Sequence, residues 1–340
     1  MENKFKSHYE RVVGGRSEEE TKKAKELLQI RLEVTDDLVK EYELEKTDED
    51  KKLIKLAEDS ADKIVLSYGG KPNPASIEKI HLLRPGSTSS ITKERLSSAA
   101  HSALGQNIIV DRGTSNLGVT LNTIHEFLHL KSYKAAQILD ANKNELGAYR
   151  SGITIISHKK DKSYFIDIEE AIIAKLTDQV YNEKLKNNLL FKKEIETTEK
   201  FKELFEKTPH YNNFTNKQKK VFSKELYSIP GIIEAINTIE SGELKDRPMD
   251  FKLGYIAGIF SKICKENSEI VLSAREKERE DLDNIIDDIY EKSKRTMSKK
   301  EIFDEFAKAN FSGNLLPLAR MVENTLGKGY FRKIAEKFSK

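Results

Sequence analysis

One segment, LGVTLNTIHEFLHL (residues 117–130), constrains the fold of this 340-residue chain more than any other. In an α-helix each residue turns by about 100° around the axis. His125, Glu126 and His129 then share one arc of the helix. The opposite arc is apolar and is filled by Leu117, Leu121, Ile124, Phe127 and Leu128. The pattern therefore predicts a helix whose apolar side is buried and whose polar arc needs a partner in a cleft.

The charge pattern excludes several classes of protein. Charged residues make up 34% of the chain, both signs are interleaved, and the net charge is only +3. Because no strong basic patch results, a nucleic-acid partner is not expected. No run of about 18 apolar residues occurs and the N-terminus has no apolar signal-peptide core, so no membrane partner is expected and the predicted location is cytoplasmic. The single cysteine, Cys264, is predicted to pack within a helix.

The order of patterns along the chain predicts an α+β fold that is mostly helical. Residues 18–67 show the spacing of amphipathic helices. IEKIHLL and QNIIVD are typical of short strands, and SSITKERLSSAAHSAL predicts a short helix and a further extended piece. Together they predict a small mixed sheet before the HEFLH helix. After that helix, GAYRSGITIIS and YFIDI predict two extended runs joined by the turn HKKDKS, and IEEAIIAKLTDQV predicts another helix.

This order divides the chain into three predicted parts. Residues 1–66 form an N-terminal helical segment. Residues 67–181 form a core that holds the sheet, the HEFLH helix and the next helix. Residues 182–340 are helical and charged, with breaks at prolines, and form a C-terminal subdomain that completes the cleft.

The polar arc of the HEFLH helix has the residue types of a zinc site. Two histidines one turn apart can bind Zn²⁺ from one side. The glutamate between them is placed to take a proton from the attacking water and pass it to a leaving amine. This is the HExxH arrangement of metallopeptidases. In a chain of this length and composition, the expected number of accidental HExxH motifs is only about 0.01–0.02. His125, Glu126 and His129 are therefore predicted to form a site for one zinc ion per chain.

A third ligand is needed, because a catalytic zinc ion keeps three protein ligands and one open position. A histidine six residues beyond His129 is absent, since Ala135 stands there, and no cysteine precedes the motif. A carboxylate is therefore expected. The segment IDIEEAIIAKL supplies Asp167, Glu169 and Glu170 on or beside the next helix.

HExxH followed by a glutamate on a second helix resembles the gluzincin metallopeptidases, the thermolysin-like zincins. In that family the third ligand commonly stands in an Asn-Glu-Ala context, and EEAI matches it with Glu170 in the ligand position; Glu169 is the alternative. The resemblance implies a zincin-like fold and a zinc-dependent metallopeptidase. His125, His129 and Glu170 would bind zinc, and Glu126 would act as general base and acid on a peptide or protein substrate.

The resemblance extends more loosely across residues 80–180. AAHSALGQNIIVDRG is similar to the family's edge strand and the strand before its active helix, which implies that residues 100–104 pair with a peptide by strand addition. FSGNLLPLARMVENTLGKGYFRKIA resembles the C-terminal helices that close some gluzincin domains.

Two features depart from the family. Its aspartate four residues beyond the third ligand, which orients a histidine, falls on Ala174, and Asp178 is only a weak substitute. The stretch between the motif and the third ligand is longer than in thermolysin and contains the predicted hairpin. That hairpin offers candidates for the group that stabilises the oxyanion. Tyr149 is the predicted one, and the others are Arg150, His158 and Tyr164.

The remaining histidines, His8, His81, His101 and His210, are isolated in sequence and are predicted to pack or to lie at the surface. His101 lies in the predicted substrate strand.

Two alternatives to a peptidase stay open. One is a zincin-fold binding or structural protein that keeps the metal but has no peptidase activity, which the missing orienting aspartate favours. The other is a helical interaction protein in which HEFLH is accidental, and it predicts no bound metal.

Overall fold

A computed structural model describes residues 7–31, 37–93, 98–113, 115–207, 209–216, 244–266 and 275–340, together with residues 219, 236, 239 and 240. The side chains of His210 and Cys264, which the sequence predicts to pack or to lie at the surface, are outside this description. In the described part, no helix is both long and apolar enough to cross a membrane.

The described residues form an α+β fold that is mostly helical, as predicted. The helices are α1 (Glu18–Arg31), α2 (Asp37–Tyr42), α3 (Asp48–Ser67), α4 (Ser87–Thr92), α5 (Asn116–Leu130), α6 (Ile166–Val180), α7 (Lys192–Glu206), α8 (Pro209–Asn212), α9 (Met249–Glu266), α10 (Glu276–Lys292), α11 (Lys299–Ser312), α12 (Leu316–Leu326) and α13 (Tyr330–Lys337). The strands are β1 (Arg11–Val13), β2 (Ile80–Leu83), β3 (Ala99–Ser102), β4 (Asn107–Asp111), β5 (Lys134–Asp140), β6 (Glu145–Ser151), β7 (Thr154–Ser157) and β8 (Lys162–Tyr164).

The first sheet lies directly before α5 in the chain and has the strand order β2-β4-β3. Strands β2 and β4 are parallel, whereas β3 is antiparallel to β4, with His101 opposite Ile108. Strand β2 is buried throughout, and β3 is the outer strand of the described sheet. The predicted small mixed sheet before the HEFLH helix is therefore confirmed, and the predicted substrate strand lies at its edge.

The second sheet has the order β1-β5-β6-β7-β8, with β1 parallel to β5 and the other pairs antiparallel. The predicted turn HKKDKS joins β7 to β8, as expected. GAYRSGITIIS, however, is two strands and not one, because the chain reverses at Gly152 with φ +54°. YFIDI contributes only Tyr164 to a strand, because Phe165 adopts φ 63° and turns the chain into α6 at Ile166. Strands β1 and β5 are not predicted by the sequence pattern.

Helix α5 lies in the main core and packs against α3 and α6. All five residues of its predicted apolar arc are buried. The apolar stripe of α6 is also buried, and it consists of Ile168, Ile172, Leu176 and Val180. Residues of α10 to α13 belong to the same core, and a smaller cluster joins α7 to α9. The main core thus draws on all three predicted parts of the chain, and their boundaries stay a prediction.

The N-terminus of α5 is held by two side chains. Oγ of Ser115 accepts a hydrogen bond from the amide of Gly118 at 2.9 Å. Glu194 of α7 accepts hydrogen bonds from the amides of Asn116 and Leu117 at 2.9 and 3.0 Å. These acceptors satisfy amides that have no partner within the helix, and the carboxylate also complements the positive end of the helix dipole. The position of α5, and with it the position of its polar arc, is fixed from this end.

Candidate metal centre

Helices α5 and α6 bring the three predicted ligands together. Nε2 of His125 lies 3.5 Å from Oε2 of Glu170, and Nε2 of His129 lies 3.4 Å from the same oxygen. One ligand atom from each of the three residues lies within 4.8 Å of the others. His129 is buried, whereas the side chains of His125 and Glu170 are 19% and 16% exposed, so the cluster is not sealed from solvent.

The donor set fits a zinc ion, and so do the two separations that end on Glu170. A tetrahedral ion with ligands at about 2.0–2.2 Å keeps its ligand atoms about 3.3–3.6 Å apart. The two separations measured to Glu170 fall in this range. Two imidazoles and one carboxylate are also a ligand set of catalytic zinc. Oε2 of Glu170 is buried and accepts no hydrogen bond of normal geometry from the described residues, and the cationic side chain of Arg275 lies 3.0 Å from it.

Glu169 contacts the other nitrogen of a predicted ligand. Its Oε1 lies 3.3 Å from Nδ1 of His129, whose Nε2 faces the third ligand. Histidine ligands usually donate their second ring N–H to a carboxylate or carbonyl, which fixes the tautomer and the ring orientation. In a zinc site Glu169 would therefore supply the orienting carboxylate that the resemblance places at Ala174. Asp178, the weak substitute, pairs instead with Arg279.

A buried polar chain continues behind Glu169. Oγ of Ser151 lies 3.5 Å from Oε1 of Glu169, and Nζ of Lys134 donates a hydrogen bond to Ser151 at 3.0 Å. Lys134 and Ser151 are paired across β5 and β6. The Lys134 side chain is fully buried, and burial lowers its pKa to about 8 against the attraction of Glu169. The second sheet therefore places a hydrogen-bond donor and a cation behind the Glu169 carboxylate.

The turn after Ser151 approaches Glu169 so closely that only glycine fits. Gly152 has φ +54°, and a Cβ at this position would lie 2.0 Å from Oδ1 of Asn310 and 2.9 Å from Cδ of Glu169. The same Asn310 oxygen accepts a hydrogen bond from the amide of Ile153 at 3.1 Å. The close approach explains why the predicted extended run is interrupted here.

Opposite charges lie at short range in the cluster. Burial disfavours a charged His129, but Glu170 and Glu169 outweigh burial and raise the pKa of His129 to about 10. Burial also favours a neutral Glu170, yet His129, His125 and Arg275 hold the pKa of this carboxyl well below its usual range. Nε of Arg275, just before α10, lies 3.0 Å from Oε2 of Glu170. In the metal-free protein, a proton on His129 supplies positive charge that a bound cation would replace.

Glu126 is buried on the polar arc of α5, and its Oε2 lies 3.4 Å from Nδ1 of His101. Burial tends to raise the pKa of Glu126, but the imidazoles of His101, His125 and His129 outweigh it and lower the pKa. Glu126 is thus ionised and able to accept a proton. From the sequence, His101 is isolated and is predicted only to pack or to lie at the surface. Only the pairing of β3 with β4 brings it to Glu126, and no local spacing signals that contact.

The hairpin residues predicted to stabilise an oxyanion make contacts other than with the three predicted ligands. Tyr149 stands unpaired at a register shift between β5 and β6 and is 37% exposed, and its catalytic role stays a prediction. Arg150 donates hydrogen bonds to the backbone carbonyls of Gly152 and Gly313 at 2.7 and 2.6 Å. Nε2 of His158 contacts a backbone carbonyl of β6 at 2.8 Å. Arg150 and His158 therefore hold backbone segments together.

Neither a family model, nor a curated protein, nor a solved structure matches this chain. A functional assignment therefore rests on the HEFLH segment, on Glu170 and on the geometry around them.

Glu169→Gln is expected to weaken zinc binding about 10- to 100-fold without abolishing it, because the amide keeps the size of the side chain but loses the charge that faces His129. A competition titration against a chromophoric zinc chelator measures the change. Glu183→Gln, an exposed substitution just beyond α6, is the matched control. Unchanged affinity would remove the orienting role of Glu169, and complete loss of zinc would make Glu169 a ligand.

Lys134→Met is expected to stabilise the metal-free protein at about pH 7. The pKa of Lys134 falls from 10.5 to about 8 on folding, which corresponds to a cost of about 3 kcal/mol for a charged ammonium in the fold. This cost is fully present below the folded pKa. It disappears as the pH rises from about 8 to about 10.5, because the folded lysine releases its proton before the unfolded one does.

Urea unfolding of the wild type and Lys134→Met at several pH values measures this difference. The free energy of unfolding of the variant should exceed that of the wild type by about 2–3 kcal/mol at about pH 7, and the gap should close towards about pH 10. Lys143→Met, at an exposed lysine, is the control and should show no such trend. A gap that does not change with pH contradicts the prediction.

Proposed function

We propose that this protein is a zinc-dependent metallopeptidase of the gluzincin type with a zincin-like fold. One observation carries the proposal: Oε2 of Glu170 on α6 lies 3.5 and 3.4 Å from the Nε2 atoms of His125 and His129 on α5, and both separations fit a tetrahedral zinc ion. The HExxH spacing alone fixes only the two histidines. The carboxylate comes from a separate helix, so its arrival at the same point supports the proposal independently of the motif.

Each residue of the cluster has a role in this proposal. His125, His129 and Glu170 hold one zinc ion per chain, and Glu169 orients His129. The ion supplies Lewis-acid chemistry, polarising the peptide carbonyl and making water a better nucleophile. Glu126 takes the proton from the attacking water and then gives it to the leaving amine.

A peptide substrate fits the edge of the first sheet. In the described sheet β3 pairs with β4 on one side only, and its residue His101 contacts Glu126. The outer edge of β3, as the structure describes this sheet, therefore runs beside the proposed general base. An extended peptide that adds to this edge as a further strand would lie along the cluster. Backbone hydrogen bonding of this kind recognises peptides as a class.

The alternative of a zinc-binding protein without peptidase activity drew on the missing orienting aspartate. The carboxylate of Glu169 beside Nδ1 of His129 removes that reason. The two alternatives, an inactive zinc protein and a helical protein with an accidental motif, therefore become outcomes of the test.

The test combines metal content with hydrolysis. Protein purified without added metal is analysed by mass spectrometry, and cleavage of fluorescently labelled casein and of a mixed peptide library is followed before chelation, after chelation and after zinc is returned. About one zinc per chain, with hydrolysis that chelation removes and zinc restores, supports the proposal. Bound zinc without cleavage favours the inactive zinc protein. If the protein neither carries nor takes up zinc, the motif is accidental.

A further inference from the structure

Strand β3 holds His101 against the polar arc of α5. Side chains alternate along a strand, and Ala99 packs against the main core while Ala100 packs with the separate cluster around Ile109. His101 is therefore on the side of Ala99, which faces α5. Nδ2 of Asn122 on α5 donates a hydrogen bond to Oγ of Ser98 at 3.1 Å and ties the beginning of this strand to the helix.

His101 contacts two parts of the cluster at once. Its Nδ1 lies 3.4 Å from Oε2 of Glu126. Its ring lies against the ring of His129, with centroids 4.8 Å apart and planes only 9° from parallel. The His101 side chain is 19% exposed, so it is enclosed but borders the open side of the cluster.

The parallel rings argue against His101 as a fourth zinc ligand. The lone pair of an imidazole nitrogen lies in the plane of its ring. The planes of His101 and His129 are stacked nearly parallel, so lone pairs from both rings cannot converge on one ion. His125 is oriented differently, since its plane makes an angle of 67° with that of His129. The ring orientations therefore separate His101 from the three proposed ligands.

A buried glutamate that acts as a general base must be held in one rotamer, because proton transfer needs hydrogen-bond distance and direction. The glutamate side chain has several rotatable bonds and loses considerable freedom when fixed. An imidazole N–H that donates to the carboxylate fixes it without removing its charge. His101 is itself fixed by the ladder of β3 and by its stacking on His129.

We propose that His101 is a positioning residue of the hydrolytic site: its Nδ1–H donates to Glu126 and holds that carboxylate in place for proton transfer. The catalytic consequence rests on the proposed function, whereas the contact itself does not. His101 then acts on turnover through Glu126 and contributes no zinc ligand.

Two substitutions separate the hydrogen bond from the stacking. His101→Phe keeps a ring against His129 but has no N–H. His101→Asn places an amide nitrogen where Nδ1 stands and loses the ring. Another histidine–glutamate contact in the same sheet gives the matched control, since Nδ1 of His81 lies 2.9 Å from Oε1 of Glu43. His81→Phe removes that contact and should leave turnover per folded molecule within about 3-fold of wild type.

The expected results are a kcat that falls about 10- to 100-fold in His101→Phe with KM changed less than about 3-fold, and a partial recovery of kcat in His101→Asn. Zinc stoichiometry should stay at one per chain in both. Turnover of His101→Phe at the wild-type level overturns the proposal. Loss of zinc from His101→Phe and His101→Asn also overturns it, because His101 would then be a ligand.

A measurement on the zinc-free protein tests the His101–Glu126 hydrogen bond independently of the proposed function. Nuclear magnetic resonance of ¹⁵N-labelled histidine rings reports which nitrogen of His101 carries the proton. An Nδ1–H that shifts on Glu126→Gln substitution supports the proposed contact, and an Nε2–H tautomer overturns it. If the wild type neither binds zinc nor cleaves peptides, the proposed function fails, and the tautomer still decides whether His101 donates to Glu126.

Discussion

Glu126→Gln is expected to reduce peptide hydrolysis about 10²- to 10⁴-fold while the protein still binds one zinc per chain. The amide is almost the same size as the carboxylate, but it cannot take a proton from water. Glu126 is not one of the three residues whose ligand atoms converge, so the metal site should survive. Initial rates on labelled casein and zinc content by mass spectrometry, measured on the same preparation, give both values.

Glu196→Gln is the control for this prediction, because it removes a carboxylate that is 66% exposed on α7 and outside the cluster. It should behave as wild type in both measurements. If Glu126→Gln retains more than a tenth of wild-type turnover, Glu126 is not the general base, and another group must take the proton. If it loses zinc, the Glu126 carboxylate contributes to holding the metal, and the division of roles within HEFLH is wrong.

The central helix and its neighbour could be predicted from the sequence, because their signals are local. The apolar arc of α5 and the stripe of α6 repeat at the helical period, and both are buried as predicted. His125 and His129 are one turn apart on the same helix, so their proximity follows from helix geometry alone. Glu170 could be named only through the family resemblance, whereas the residue types alone indicated a carboxylate on or beside the next helix.

The surroundings of the cluster depend on contacts distant in sequence. Strand β5 begins with a buried lysine and two alanines, which do not alternate as a half-buried strand does, so the sequence does not predict it. Lys134 meets Ser151 only when β5 pairs with β6. His101 likewise reaches Glu126 through the pairing of β3 and β4 and the packing of α5. These contacts join residues too far apart in the sequence for a local spacing pattern to reveal them.

The consecutive glutamates show why local pattern left two alternatives for the third ligand. Glu169 and Glu170 are neighbours on α6, separated by about 100° around its axis. In the fold they bracket one imidazole, with Glu169 at Nδ1 and Glu170 at Nε2 of His129. A helical wheel cannot decide which of two neighbours faces the metal side of a ring on another helix. Because residue 152 is a glycine, the turn leaves room for the Glu169 side chain beside Nδ1 of His129.

Glu170→Ala and His129→Ala are each expected to lower zinc affinity by well over ~100-fold, which is more than the roughly 10- to 100-fold change typical for residues that only orient a ligand. Each substitution removes one of the three proposed ligands, and two remaining side chains cannot complete a catalytic zinc site. Glu170→Ala also removes the negative charge that helps to raise the pKa of His129, so the electrostatic attraction for a cation falls as well. Metal content after purification without added zinc, followed by a competition titration, measures the loss.

The prediction also ranks the two glutamates by how much zinc affinity each substitution removes. Glu170→Ala should lose zinc, whereas Glu169→Gln should bind it more weakly, and the far-ultraviolet circular dichroism of both should match the wild type. The reverse order would make Glu169 the ligand and Glu170 the orienting group, with Arg275 as the partner that draws Glu170 away from the metal. Equal and wild-type affinity in both variants would place any bound zinc elsewhere in the chain. A wild-type protein that takes up no zinc at micromolar concentration would make HEFLH an accidental sequence on a buried helix.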